Sequence, residues 1–309
     1  MEHTHTEHNH SHHHHHDVRG KNLFITIILN VIITVAQVIG SFVSGSLALL
    51  SDALHNFSDV MSLVISWIAN KMSKTPPDDK KTFGYKRAEI IAALINAVTL
   101  LIIAIFLVKE AISRFGSPVK IESTTVIVLA ALSIVLNGAS VLLVSKDAKH
   151  SMNMRSAYLH LFTDMMTSVA VMIGGIVMSL WNISWIDDVL SIIIAIYLII
   201  VSWRLVIETL KILMQFTPAG IKVHTICEEL QTIKHVSNVH HVHTWQLNDN
   251  QIHFEAHIDF KENMDLREAG DVLKNIRDIL NEKYGITHTT LQPEYKVNDN
   301  KSIIVNKPE

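Results

Sequence analysis

A single cysteine, Cys227, stands among 309 residues, so neither an internal disulfide framework nor a thiolate zinc cluster is available to this chain. There is no excess of basic charge either. The net charge is -3, from 26 Lys and Arg against 29 Asp and Glu, and this excludes nucleic acid as the expected partner. Charged residues are scarce, at 18%, while 49% of the chain is hydrophobic and its mean hydropathy is +0.28. A soluble protein of this length rarely reaches that balance. A polar segment precedes the first apolar run, so no cleavable signal peptide is expected. What the chain has in plenty is histidine. It holds 20, nine of them within the first sixteen positions.

Six apolar runs approach or exceed the ~20 residues that a helix needs to cross a bilayer. They lie at 22–44, 46–71, 86–114, 122–145, 153–181 and 186–210. The first two are joined by the tight connection Ser44-Gly45-Ser46, the last two by Asn182-Ile183-Ser184-Trp185. Basic residues collect in the connection holding Lys71, Lys74, Lys80, Lys81, Lys86 and Arg87, and in that holding Lys146, Lys149 and Arg155. The two tight turns carry none. Positive charge marks the cytoplasmic side, so six spans with both termini inside are expected. After Pro218 the pattern becomes that of a soluble domain: helix over 221–233, strands over 237–247 and 251–260 about the turn Asn248-Asp249-Asn250, helix over 265–283 and strand over 286–292. The order αββαβ predicts a small two-layer, ferredoxin-like α+β domain. The expected fold is therefore a six-helix, all-α transmembrane domain followed by a cytoplasmic α+β domain. Its parts are a His-rich tail (1–20), the membrane domain (21–216), the cytoplasmic domain (217–295) and a flexible tail (296–309).

Ionisable residues inside apolar runs carry the chemistry. The second run contains His55-Asn56-Phe57-Ser58-Asp59 and the fifth His160-Leu161-Phe162-Thr163-Asp164. Both are H-x-x-x-D, a spacing that sets the two side chains one turn apart on one helix face. The two spans run in opposite directions through the membrane, so both pairs sit at similar depth. If the helices touch, two imidazoles and two carboxylates converge, a tetrahedral N2O2 set that suits zinc. One His and one Asp at this spacing are common by chance in soluble helices. In a bilayer each ionised group costs about 2.5–3.5 kcal/mol on insertion scales, so mutual pairing or a task is required. Asp52, one turn before His55, reads as the lining of an access cavity ahead of an orienting partner for a His. Asn30, Gln37, Asn96 and Asn137 read as interhelical hydrogen-bonding residues.

The run from Ser46 through Asp52 to His55-Asn56-Phe57-Ser58-Asp59 resembles the second helix of the cation diffusion facilitators. Phe83-Gly84-Tyr85-Lys86-Arg87-Ala88-Glu89 resembles that family's F-G-x-x-[RK]-x-E signature at the start of helix three. With the second H-x-x-x-D, six spans and an α+β domain, the resemblance covers about residues 20–293, and points to the bacterial zinc exporters with a His-rich N-terminus. It implies a Y- or V-shaped homodimer in the bacterial inner membrane that exchanges zinc for protons by alternating access, and it carries the transport site onto His55, Asp59, His160 and Asp164. Two departures stand out. Some members bind a second metal between helices two and three; here that loop has Asp78 and Asp79 but no His. Some also pair the basic residue of the signature, here Arg87, with an Asp at the end of helix six, where this chain has Gln215.

The soluble part holds His240, His241 and His243 in its first strand, His253 and His257 in its second, and His288 before its last. Alternation places His253, Glu255, His257 and Asp259 opposite Ile252, Phe254, Ala256 and Ile258. A solvated sheet face is the simpler reading. The resemblance implies zinc binding at a dimer interface, through His240 and His257, with His243 and His288 as further candidates. The N-terminal histidines read as a metal-collecting tail, or alternatively as a purification tag. The alternatives to zinc export are the same transporter with cobalt or cadmium as its main ion, and a membrane zinc sensor that moves nothing.

Overall fold

The computed structural model describes residues 16–73, 75–115, 119–145, 152–248 and 251–305, with side chains for all of these except 16–27, 62–63, 66–67, 69–70, 73, 144, 152–157 and 160. Six long helices come first: α1 (His16–Ser44), α2 (Leu47–Ser73), α3 (Ala88–Arg114), α4 (Ser123–Ser145), α5 (Met152–Trp181) and α6 (Trp185–Leu213). They stand where six spans are expected. Among the described residues, four contain stretches long and apolar enough to cross a membrane: Ala88–Arg114, Ser123–Leu143, Leu161–Trp181 and Trp185–Leu213. In α1 the described apolar stretch is the shorter Ile28–Ser44. In α2 the middle is interrupted by Asp52, His55, Asn56 and Asp59.

The chain divides into two compact units, residues 1–63 with 99–202, and 64–98 with 203–309. The first is a helical bundle with its apolar side chains turned outward. Phe42, Phe106, Val135, Leu142 and Leu180 are exposed, as a lipid-facing surface requires. Trp181 and Trp185, also exposed, flank the α5–α6 turn, where interfacial aromatics belong. Inside, Ala48, Leu49, Ala104, Val126, Ala130, Val171 and Leu198 form the largest core cluster of the bundle. Small residues permit the close approach. A Cβ on Gly40 of α1 would lie 1.8 Å from the Leu129 side chain of α4.

One end of this bundle is fastened by polar contacts. The α1–α2 turn needs a positive φ, and Gly45 supplies it at 73°. Arg114, at the end of α3, donates to the Gly45 carbonyl at 2.7 Å, and the Glu122 amide donates to the Ser44 carbonyl at 3.0 Å. Asp187, buried in the first turn of α6, accepts from Ser46 Oγ at 2.5 Å and from the Leu47 amide at 2.6 Å. A carboxylate from α6 thus caps the N-terminus of α2, where the helix dipole favours negative charge.

The second unit contains the soluble domain, in the expected order: α7 (Val223–Gln231), β1 (Val236–Asn248), β2 (Gln251–Phe260), α8 (Leu266–Tyr284) and β3 (His288–Glu294). β1 pairs antiparallel with β2, and β2 pairs parallel with β3. The parallel pairing needs a crossover, and α8 provides it. Asp265 caps α8 by accepting from the Arg267 and Glu268 amides. Ile226, Leu230, Val239, Phe254, Ala256, Ile258, Ile276 and Leu280 fill the core beneath the sheet.

Residues 296–309 are expected as a flexible tail; within its described part, the Ser302 and Ile303 carbonyls accept from the His241 and Val242 amides of β1, and Ile303 packs against the core. Of the apolar pair Ile303-Ile304, Ile303 is the one that packs inward, while Ile304 is exposed. In the connection after α2, Asp78 is a turn residue, accepting from the Lys80 and Lys81 amides at 2.9 Å. The Lys81 ammonium 3.0 Å away holds its carboxyl below the usual range.

Candidate metal sites

Position and helical period bring the first site together. His55 and Asp59 lie one turn apart on α2, and Asp164 faces them from α5. His55 Nε2 is 3.1 Å from Asp164 Oδ1 and 3.8 Å from Asp59 Oδ2. One ligand atom from each of the three lies within 4.8 Å of the others. His55 and Asp164 are 7% and 0% exposed, so the charged groups are withdrawn from both lipid and water. His160, the fourth expected ligand, lies on the α5 backbone one turn before Asp164, and its side chain is outside the described residues. Tyr197 of α6 sets its ring edge-on to His55, centroids 6.3 Å apart. Its sequence surroundings are uniformly apolar and give no signal for that contact.

One turn along from this site lies a buried polar layer. Asp52 accepts from Gln37 of α1 at 2.6 Å and from Ser168 of α5 at 3.0 Å. Asn56 donates to Gln37 at 3.0 Å, and Ser168 meets Ser133 of α4 at 2.8 Å. Asp52 is 0% exposed. It lies in a hydrogen-bonded network, and the expectation of a cavity-lining residue is corrected accordingly. The register is orderly. Asp52 of α2 meets Ser168 of α5, and His55, one turn further on, meets Asp164.

The second site lies on the sheet of the C-terminal domain. His240 and His257 are register partners across β1 and β2, with ring centroids 5.3 Å apart. Two carboxylates join them. His257 Nδ1 is 2.7 Å from Glu294 Oε1 and 3.9 Å from Asp299 Oδ2, while His240 Nε2 is 3.0 Å from Asp299 and 3.4 Å from Glu294. Glu294 ends β3, and Asp299 belongs to the docked C-terminal segment. Neither is among the residues expected from sequence. His240 is 0% exposed. Its other nitrogen, Nδ1, lies 3.4 Å from Asp259. Lys301 completes the group: its Nζ is 2.9 Å from Asp259 Oδ1, 3.2 Å from Glu294 Oε2 and 3.4 Å from His240 Nε2, and it also pairs with Asp299. Bonds from Lys301 and His240 lower the Asp299 carboxyl to about 2.

The remaining candidates fall elsewhere. His243 faces His241, ring centroids 5.2 Å apart. His288 lies against His253, centroids 4.5 Å apart, and His253 in turn stacks on Trp245. Burial, then the neighbouring His288, Lys86 and Arg87, push the His253 pKa down.

A bundle of apolar helices enclosing imidazole and carboxylate, followed by a soluble domain with a second such group, is the architecture of a membrane transporter of cations. Residues 23–214 match the family model of the cation efflux transmembrane domain, and residues 218–296 that of the cation efflux protein cytoplasmic domain. The chain is 32% identical over 295 residues, 94% of each chain, to the cadmium, cobalt and zinc/H(+)-K(+) antiporter of Bacillus subtilis. It is 32% identical over 276 residues, 89% of this chain and 86% of the relative, to the metal cation efflux system protein CzcD of Cupriavidus metallidurans. To the zinc transporter ZitB of Yersinia pestis it is 34% identical over 282 residues, 91% of this chain and 89% of the relative. The chain belongs to the cation efflux family, the cation diffusion facilitators. It is a multi-pass membrane protein that exports divalent metal, and not an enzyme.

Proposed function

We propose that this transporter exports zinc from the cytoplasm in exchange for protons, as a homodimer in the bacterial inner membrane with both termini in the cytoplasm. The convergence of His55, Asp59 and Asp164 in the buried heart of the bundle carries the reading. His160, from the same face of α5 as Asp164, supplies the fourth ligand. Zinc binds neutral imidazole and ionised carboxylate, so its entry displaces protons, and its departure leaves a group that takes them up again. One set of residues thus serves both ions, with no separate proton path. The N-terminal histidines collect metal near the cytoplasmic mouth, and His240 and His257 bind zinc as a sensor of cytosolic metal. The residues divide into a membrane domain over 21–216 and a cytoplasmic domain over 217–295.

The names of the relatives include cadmium and cobalt beside zinc, so the ion preference is tested together with the coupling. Paired zinc and cadmium fluxes are measured in proteoliposomes under an imposed pH gradient, for the wild type and for His55→Asp. Zinc flux should rise with the gradient. His55→Asp replaces one imidazole by an oxygen ligand and widens the cavity, which favours the larger ion. It should keep some zinc transport and gain cadmium transport. Zinc flux indifferent to the gradient would refute the antiport. An unchanged zinc-to-cadmium ratio in an active His55→Asp protein would remove His55 from the ligand set.

A further inference from the structure

Lys301 occupies the place where a metal ion on the cytoplasmic domain would sit. Four side chains converge there from three parts of the chain: His240 from β1, His257 from β2, and Glu294 and Asp299 from β3 and the segment after it. One ligand atom from each lies within 4.8 Å of the rest. Two nitrogens and two carboxylate oxygens make a set that a divalent ion of the zinc type accepts. His240 turns Nε2 toward Glu294 and Asp299, while its buried Nδ1, 3.4 Å from Asp259, makes no hydrogen bond with a described residue. His257 Nδ1 is buried and, although 2.7 Å from Glu294, makes no hydrogen bond of good geometry with a described residue. All four ligands come from one protomer.

We propose that Lys301 is a built-in cation that fills this site until metal displaces it, and that Asp299, delivered by the docked C-terminal segment, is a metal ligand. This rests on the reading of His240 and His257 as ligands of cytosolic metal. Lys301 neutralises one of the three carboxylates around it, Asp259, Glu294 and Asp299, and leaves an excess of two negative charges. A divalent ion taking Glu294 and Asp299 matches that excess. Lys301 then keeps Asp259, already 2.9 Å from its Nζ, as its partner. The exchange needs a rotation of one side chain, 35% exposed, and no unfolding of the segment. The ammonium sets the threshold: metal binds only when its concentration overcomes the competing lysine. Apparent affinity is the intrinsic affinity reduced by the fraction of molecules whose site is open.

The test is a zinc titration of the purified chain carrying Asp164→Ala and lacking residues 2–16, which leaves the cytoplasmic site as the measured one. Saturable binding of one zinc per chain is expected. Lys301→Gln should tighten it by roughly tenfold, the change that follows if the lysine holds the site closed in about nine molecules of ten. Lys301→Arg, which keeps the charge, should not tighten it. Because Lys301→Gln leaves three carboxylates without their cation, Asp299→Asn serves as a second variant with one charge fewer. It should weaken zinc by at least about 10–100-fold, the cost of losing even a residue that only supports a ligand. Identical titrations for wild type, Lys301→Gln and Lys301→Arg would overturn the proposal, as would unaltered binding in Asp299→Asn. A transporter that moves no zinc yet titrates as described would refute the proposed export and leave this inference standing.

Discussion

The two candidate metal sites of this chain are built from the same kinds of side chain and differ in what surrounds them. On the sheet, His240 and His257 are flanked by three carboxylates and a lysine that balances part of their charge. In the bundle, His55 lies between Asp59 and Asp164, beside a layer of neutral partners such as Gln37, Asn56 and Ser168. A site that must hold metal can carry a permanent counter-cation, because slow exchange does no harm there. A site that must pass metal on with every cycle is better served by imidazole and carboxylate alone, which release and take up protons as the ion comes and goes. The cores differ in the same sense. The soluble domain hides its apolar residues and shows polar ones, while the bundle shows apolar residues and encloses polar ones.

The sharpest way to separate the two sites is Asp164→Ala. Zinc flux in proteoliposomes should fall by more than roughly 100-fold, beyond what loss of a supporting residue costs. Zinc bound at the cytoplasmic domain should be untouched. Retained flux would remove Asp164 from the transport site, and loss of both signals would mean that the sites are not independent. The contrast between cores is tested by Ile276→Ala and Ile200→Ala. Ile276 is 0% exposed in the soluble core, and its truncation should cost about 2–5 kcal/mol. Ile200 is 54% exposed on α6, toward lipid, and its truncation should change stability by no more than about 0.5 kcal/mol. Thermal unfolding in detergent ranks the two, and equal losses would contradict the inside-out description. The smallest effect concerns His253. Its folded pKa is lowered, so folding favours the neutral ring. That contribution is complete above about pH 6.5, the unfolded value, and declines as pH falls below it. The unfolding temperature should drop between pH 7 and pH 5, and His253→Gln should make the drop shallower. A steeper drop in that variant would reverse the assignment.

The helices and strands lie within a few residues of where their apolar periods place them, because burial in lipid and burial against a sheet leave different repeats. The approach of His55, Asp59 and Asp164 is legible for a related reason: a spacing of four has one meaning on a helix, and depth follows from place in an apolar run; the His160 side chain lies outside the described residues. The cytoplasmic group was only half legible. His240 and His257 stand in strands whose pairing can be guessed from a short turn. Glu294 reaches them through the parallel pairing of β2 with β3, where it lies opposite Asp259, and a crossover through α8 leaves no local mark on the sequence. Asp299 and Lys301 sit in a polar segment that reads as a free tail. Only the pair Ile303-Ile304 hints that it is anchored. Asp187 escaped notice because an acidic residue at a helix start has an ordinary explanation, as a partner of its own helix dipole. Its actual partners are the Ser46 hydroxyl and the first amides of α2.

The lone cysteine has a practical consequence. Cys227 is 0% exposed in the core of the soluble domain, and burial pushes its thiol up to about 11. Only the thiolate reacts, so at pH 7 roughly one molecule in ten thousand presents a nucleophilic sulfur. The native chain is therefore chemically silent toward maleimides and methanethiosulfonates. A cysteine introduced at Trp185, exposed beside the α5–α6 turn, would be the one thiol that answers, and its labelling from one side of a vesicle or the other would place that turn without first engineering a cysteine-free background.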